Sequence, residues 1–364
     1  MKLRSPATLV LLALAVSATA QAAEYSFKET AGQHLDVLRD GKVIARYMTV
    51  HDKSTKEKSL ETYKPYLHVF DAEGSGPITK GAGGDFTHHR GIYLGWNKIG
   101  VNSKNYDRWH MSGGDQVHVK FLEQKADGKG ATFTSLVKWD GEAGGAPIIE
   151  DERTFTFSPA PAPFYTQVEV THKVKALAGD TTLSGDPEHA GLHYRPAQEV
   201  DRSKTMYIYP VENANAHKDL DYPWFGENYT VNGKTYCVVY LNHPENPKKA
   251  RTSAYRDYGR FGTFFDTSLK KDEVLTLKVR FLIGEGELPS AEVIQKAWND
   301  FTGKSDATPK FTLKPAEGAG KTPGGNKKPK TDAAKPKPKA EGEAAPKPTE
   351  KKADGAPAAP KEVK

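Results

Sequence analysis

Apolar and polar residues alternate with a period of two along most of the chain, and that period predicts β-strands. It runs through Tyr25–Lys28, His34–Leu38, Val43–Tyr47 and Tyr66–Phe70, then through Gln116–Leu122, Ala131–Trp139, Glu150–Phe157 and Phe164–Val174. It returns in Tyr229–Val231, Lys234–Val239 and Val274–Leu282. Asp40-Gly41 and Asn232-Gly233 sit between paired runs as hairpin-turn dipeptides. One segment breaks the pattern. In Pro289–Trp298 the apolar residues Val293, Ile294, Ala297 and Trp298 share a helical face behind a Ser290 cap. Many strands, tight turns and one late helix predict an all-β fold: a large two-sheet antiparallel β-sandwich with a short C-terminal helix.

Composition divides the chain into three parts. Residues 1–22 carry Lys2 and Arg4, then an apolar run from Ala7 to Val16, then small residues at Ala18-Thr19-Ala20 and Ala20-Gln21-Ala22. This is the pattern of a signal peptide and predicts a secreted or periplasmic protein. Residues 23–302 read as a single β-sandwich domain. Residues 303–364 hold ten prolines, many Lys and Ala, and few large apolar side chains, so they read as a disordered tail. The tail carries +7 and the first 22 residues +2, against +6 for the whole chain, which leaves −3 on the body. The basic character belongs to the tail, which argues against a nucleic-acid-binding fold. A basic tail can touch an anionic surface. No later run is long and apolar enough to span a membrane. Cys237, the single cysteine, lies in a strand pattern and reads as a buried structural thiol.

The residues able to do chemistry gather in three stretches. The first, Asp85 to Trp96, places His88, His89 and Arg90 between a glycine-rich turn and an apolar strand. The second is Glu188-His189-Ala190-Gly191-Leu192-His193-Tyr194-Arg195. The third joins Asn242-His243-Pro244 to Arg256-Asp257-Tyr258-Gly259-Arg260. Imidazoles, guanidinium groups and carboxylates at strand ends predict a His/Arg-lined pocket. The candidate catalytic residues are His88, His89, Glu188, His189, His193 and Asp257. The candidate substrate-binding residues are Arg90, Trp96, Tyr194, Arg195, His243, Arg256 and Tyr258. His189 and His193 have helical i,i+4 spacing but sit in a strand-like segment, where that spacing spans about 13 Å. No metal or other cofactor is therefore assigned. A metal site would need His88, His89, His110 or His243 from elsewhere in the chain.

Together, Tyr63–His68, His88–Gly91 with Trp96, Glu188–Arg195, Asn242–Pro244 and Arg256–Phe261 resemble the secreted bacterial family labelled PmoA-like or methane oxygenase, a family of unknown function. The resemblance covers roughly residues 25–300 and implies glycan breakdown. By fold analogy it also resembles the galactose-mutarotase super-sandwich, in which a histidine is general acid and a glutamate is base. That analogy implies His89 or His189 as acid and Glu188 or Asp257 as base. The function expected is a carbohydrate-active protein working on a saccharide by His/carboxylate acid–base chemistry. The alternatives are a non-catalytic glycan-binding module and a His-ligated metal-dependent oxidoreductase. The last predicts at least three histidine nitrogens around a common point.

Overall fold

The computed structural model describes residues 24–142 and 144–319. The expected signal peptide lies outside them, as does all but the first part of the expected tail. The strands, in chain order, begin with β1 (Tyr25–Thr30), β2 (His34–Arg39), β3 (Lys42–Met48), β4 (Tyr66–Val69), β5 (Ile92–Trp96), β6 (Lys98–Val101) and β7 (Lys104–Tyr106). Next come β8 (Gln116–Asp127), β9 (Gly130–Asp140), β10 (Pro147–Ser158), β11 (Phe164–Ala176), β12 (Thr181–Ser184), β13 (Ala190–Tyr194) and β14 (Met206–Tyr209). The last are β15 (Trp224–Val231), β16 (Lys234–Asn242), β17 (Phe261–Phe264), β18 (Thr267–Leu269), β19 (Val274–Glu285) and β20 (Thr312–Pro315). Two helices accompany them, α1 (Lys56–Thr62) and α2 (Ala291–Thr302).

The fold is all-β, as the two-residue period requires. Two large antiparallel sheets form it, and a small third sheet joins them. The seven-stranded sheet has the order β1-β2-β3-β4-β5-β13-β17. The nine-stranded sheet has the order β20-β14-β15-β16-β19-β11-β10-β9-β8, and the third is β18-β12-β6-β7. Both turn dipeptides adopt the left-handed backbone that a tight hairpin needs, with φ of 52° and 75° at Asp40 and Gly41 and of 51° and 81° at Asn232 and Gly233. Helix α1 has no buried residue, so no apolar stripe announced it. Thr55 caps it by accepting the Lys58 amide at 3.2 Å. Ser290 stands at the N-cap of α2, as expected, but its side chain makes no capping bond. Residues 303–319 depart from the expectation of a tail: Gly303 closes α2 at φ 71°, and β20 pairs with β14.

Strand parity positions everything that follows. From β5, Ile92, Leu94 and Trp96 enter the main core, and from β13 so do Ala190, Leu192 and Tyr194. The alternate residues Tyr93 and His193 point to the other face of the seven-stranded sheet, where Tyr93 packs with Tyr66, Trp109 and Phe264. Loops cover that second face, so both faces of β5 and β13 are buried. Cys237 is buried, and burial pushes its thiol up to about 11.

Candidate metal centre

The site is built on the outer face of the seven-stranded sheet by three loops. The first, residues 81–91, leads into β5. Gly83 and Gly84 take φ of 77° and 65°, and Phe86 takes 51°. The loop lays His89 against His193, with ring centroids 5.6 Å apart, and His88 against His110 at 4.4 Å. The second loop, Asp107–His110, follows β7 and crosses directly over β5. A Cβ at Gly95 would lie 2.3 Å from the Arg108 carbonyl oxygen, so only glycine permits this crossing. The third loop, Asp186–His189, leads into β13.

These loops bring His88, His110 and His189 together, with one ring nitrogen from each lying within 4.8 Å of the others. The carboxylates behind them explain the orientation of two of the rings. Asp107 Oδ1 accepts the amides of Trp109 at 2.9 Å and His110 at 2.7 Å, while its Oδ2 lies 2.7 Å from His110 Nδ1. Asp186 Oδ1 accepts the Glu188 amide at 3.0 Å and lies 2.7 Å from His189 Nδ1. In each turn an Asp fixes the loop and the tautomer of the His three residues later. With Nδ1 donating to the carboxylate, Nε2 is the nitrogen left for a metal, the arrangement found behind metal-ligating histidines. Burial pushes Asp186 up, but the hydrogen bond and charge of His189 outweigh it and hold the carboxyl at about 2. Asp107 is likewise held below its ordinary value by His110 against the pull of burial.

The neighbouring imidazoles are kept neutral. Burial, then the positive groups around them, press His88, His89 and His193 far below the ordinary histidine range. His193 Nε2 donates to the Arg90 carbonyl at 2.9 Å. The site still reaches solvent: the His110 and His189 side chains are 35% and 23% exposed. Three imidazoles with an accessible side form the donor set of a catalytic zinc-type site.

The other expected site residues divide by position. Glu188 lies beside His189, but its carboxylate is held by Tyr255 and Arg256 and, at 2.9 Å, by Arg260 Nη2. Against the pull of burial these partners keep it below the ordinary carboxylate range, which does not suit a general base. Tyr258 packs near Phe86 and His89 at the edge of the site. Arg195 lies against the Tyr258 ring at 4.7 Å and donates to the Tyr258 carbonyl at 2.6 Å. Arg90 donates to the Thr87 and His89 carbonyls and so fixes the first loop. Trp96 and Tyr194 point into the main core by strand parity. Trp96 Nε1 donates to Phe265, and the Tyr194 hydroxyl meets that of Tyr229 at 2.6 Å. They are packing residues, a correction to their expected place in the pocket. His243 packs on Phe301 at the end of β16, and Asp257 faces Gly318 near the end of the described chain. Neither is paired with the histidine cluster. His110 entered the sequence reading only as a possible contributor to a metal site, and Asp107 and Asp186 did not enter it at all. The spacing Asp-x-x-His, present in both turns, is the signal that was there to find.

The buried histidines make stability depend on pH. His68 and His118 are both lowered to about 4, chiefly by burial, alongside His88, His89 and His193. An unfolded chain binds these protons near pH 6.5, while the folded chain refuses them, so acid favours unfolding. Stability is expected to fall as pH drops below about 6.5, by up to about 1.4 kcal/mol per pH unit for each such histidine. Urea midpoints at pH 7.5, 6.5, 5.5 and 4.5 measure this. A flat profile across that range contradicts it.

Residues 34–299 match the model of a family described as a family of unknown function (DUF6807). No curated protein matches the chain. Among solved structures, a heparan sulfate lyase HepC mutant from Pedobacter heparinus superposes with a TM-score of 0.36 at 8% identity, over 74% of this chain and 36% of that one. A beta-arabinopyranosidase gives 0.36 at 10% identity, over 67% and 39%. A "putative aldose 1-epimerase" from Escherichia coli K12 gives 0.30 at 8% identity, over 72% and 100%. The chain thus spans well under half the length of the first two. At these TM-scores the likenesses carry no argument about activity.

Proposed function

The chain belongs to this family of unknown function, and for it we propose a metal-dependent enzyme in which His88, His110 and His189 hold a divalent transition-metal ion. One observation carries the reading: three imidazoles converge, and two of them are turned inward by a carboxylate at Nδ1. Three nitrogen donors with no acid among them suit zinc, copper, nickel or iron and do not suit magnesium or calcium. The exposed side of the cluster leaves a position for water or a substrate oxygen. A metal there supplies a Lewis acid and, through bound water, a nucleophile near neutral pH. This replaces the expected acid–base pair, because Glu188 is already engaged by two arginines and a tyrosine.

The finer expectations belong to the same proposal: the PmoA-like label, a saccharide as substrate, and a secreted or periplasmic setting. One feature favours a sugar. Phe86 is 42% exposed and stacks on His89 with ring centroids 5.1 Å apart, with Tyr258 beside it. Such an aromatic shelf at the mouth suits the apolar face of a sugar ring. Among the described residues no helix is long and apolar enough to cross a membrane.

The test is elemental analysis of the full chain purified without a histidine tag, after exposure to zinc, copper and iron salts in turn and removal of the excess. About one equivalent of one of them is the expected result. A folded protein that retains none of the three overturns the reading.

A further inference from the structure

Beneath the three histidines lies a cluster of polar atoms that nothing among the described residues satisfies. Trp109 Nε1, the Tyr93 hydroxyl, Arg260 Nε, His193 Nδ1 and both ring nitrogens of His89 are buried and have no hydrogen-bond partner. They belong to one packed group. Tyr93 lies 4.2 Å from His193 and 5.0 Å from Trp109, ring to ring, and Trp109 lies 4.9 Å from His193 and 5.4 Å from the ligand His189. Arg260 sits over Phe264, which packs on Trp109. Buried polar groups are almost always paired, so a concentration of orphans in one place calls for a ligand or water.

The kind of orphan identifies the chemistry. Trp109 Nε1 and Arg260 Nε can only donate, and the tyrosine hydroxyl can donate. His193 is different. Its Nε2 carries the proton given to the Arg90 carbonyl, so its Nδ1 is a bare acceptor. Lys64 Nζ lies 3.6 Å above the Tyr93 ring and donates to the Trp109 carbonyl at 2.8 Å, but burial presses it far below the ordinary lysine range, so the permanent cation of the group is the Arg260 guanidinium. Donor groups beside a guanidinium want an anionic oxygen, and the bare acceptors, His193 Nδ1 and one nitrogen of neutral His89, want hydroxyls.

We infer that Trp109, Tyr93 and Arg260 receive the carboxylate of a hydroxylated acid, a sugar acid in the saccharide reading above, while His193 accepts from its neighbouring hydroxyl. This rests on the metal reading and adds to it the substrate class: a carboxylate-bearing sugar whose acid group is held beside the metal. The Tyr93→Phe exchange removes one donor and keeps the ring, and Trp109→Phe removes one donor and leaves a smaller aromatic ring.

Calorimetric titration of the metal-loaded full chain with glucuronate and with glucose tests the inference. Glucuronate is expected to bind at least about tenfold more tightly than glucose, the scale of a hydrogen bond to a charged group. Each exchange is expected to lower glucuronate affinity by roughly tenfold with the metal content unchanged. Equal affinities for the two sugars, or an affinity for glucuronate indifferent to both exchanges, overturns the inference while the metal site stands. A chain that holds no metal fails at the earlier step, and elemental analysis of the same sample tells the two failures apart.

Discussion

Exchange of His110 or His189 for alanine is expected to abolish stoichiometric metal binding while the chain stays folded. Each residue supplies one of three donors, and two remaining imidazoles do not make a closed set for a tetrahedral ion. Both side chains lie in loops over the outer face of the sheet and are partly exposed, so their loss leaves the main core untouched. The carboxylates behind them allow a graded comparison. Asp186→Asn keeps the shape of the turn but removes the charge that fixes the proton on His189 Nδ1. Its cost is expected to be about 10–100-fold in metal affinity. Competition with a chromophoric chelator measures both effects, and circular dichroism reports the fold. If His110→Ala and His189→Ala bind metal as tightly as the parent, the ion, if any, sits elsewhere.

The second large effect is on stability and comes from Asp151. This carboxylate on β10 is fully buried between Arg153 Nε at 2.6 Å and His172 Nδ1 at 3.0 Å. Burial pushes it up, but His172 and Arg153 more than compensate, so it stays ionised. Arg153 in turn donates to the Pro65 carbonyl at 3.1 Å and to Gln116 Oε1 at 2.5 Å. Gln116 passes the contact on to the carbonyls of Leu94 and Arg108 at 2.9 and 3.3 Å. Asp151→Ala leaves a buried guanidinium without its anion, and losing one partner of a buried pair costs about 3–5 kcal/mol. Urea denaturation measures it. Because the chain of contacts ends on the backbone between Asp107 and Trp109, the same exchange is expected to loosen the second loop of the metal centre. An unchanged urea midpoint would show that Arg153 finds another partner.

Long strands such as β10 and β11 were legible because burying mainly one face writes a period of two into the sequence, and both hairpin dipeptides were legible from their turn chemistry. The β5 and β13 side of the seven-stranded sheet was not legible. β5 and β13 are buried on both faces, so they read as continuous apolar runs with no marked side. A sequence read that way cannot tell Trp96 from Tyr93 or Tyr194 from His193. Parity sends the first of each pair into the main core and the second to the site. His88 and His189 stood out beside glycines and charged neighbours. His110 did not, because its partners come from loops about 20 and 80 residues away. The turns Asp107–His110 and Asp186–His189 share a spacing that a strand-seeking reading passes over. Glu188 lies next to His189 in the chain, but Arg260, which helps neutralise it, lies 72 residues further along.

The strand β20 has a practical side. Composition changes at residue 303, and a shortened gene designed on composition would stop there. Such a chain would lack the strand that covers the outer edge of β14 and would expose a ladder of unpaired amides to its neighbours, an invitation to aggregate. It would also lack Glu317, whose amide donates to the Tyr255 carbonyl at 2.9 Å and whose carboxylate meets His217 at 2.7 Å. Tyr255 and Arg256 are the residues that grip Glu188, so the cut would unpin the rim of the site from a distance. The shortest sensible expression boundary therefore lies beyond residue 319.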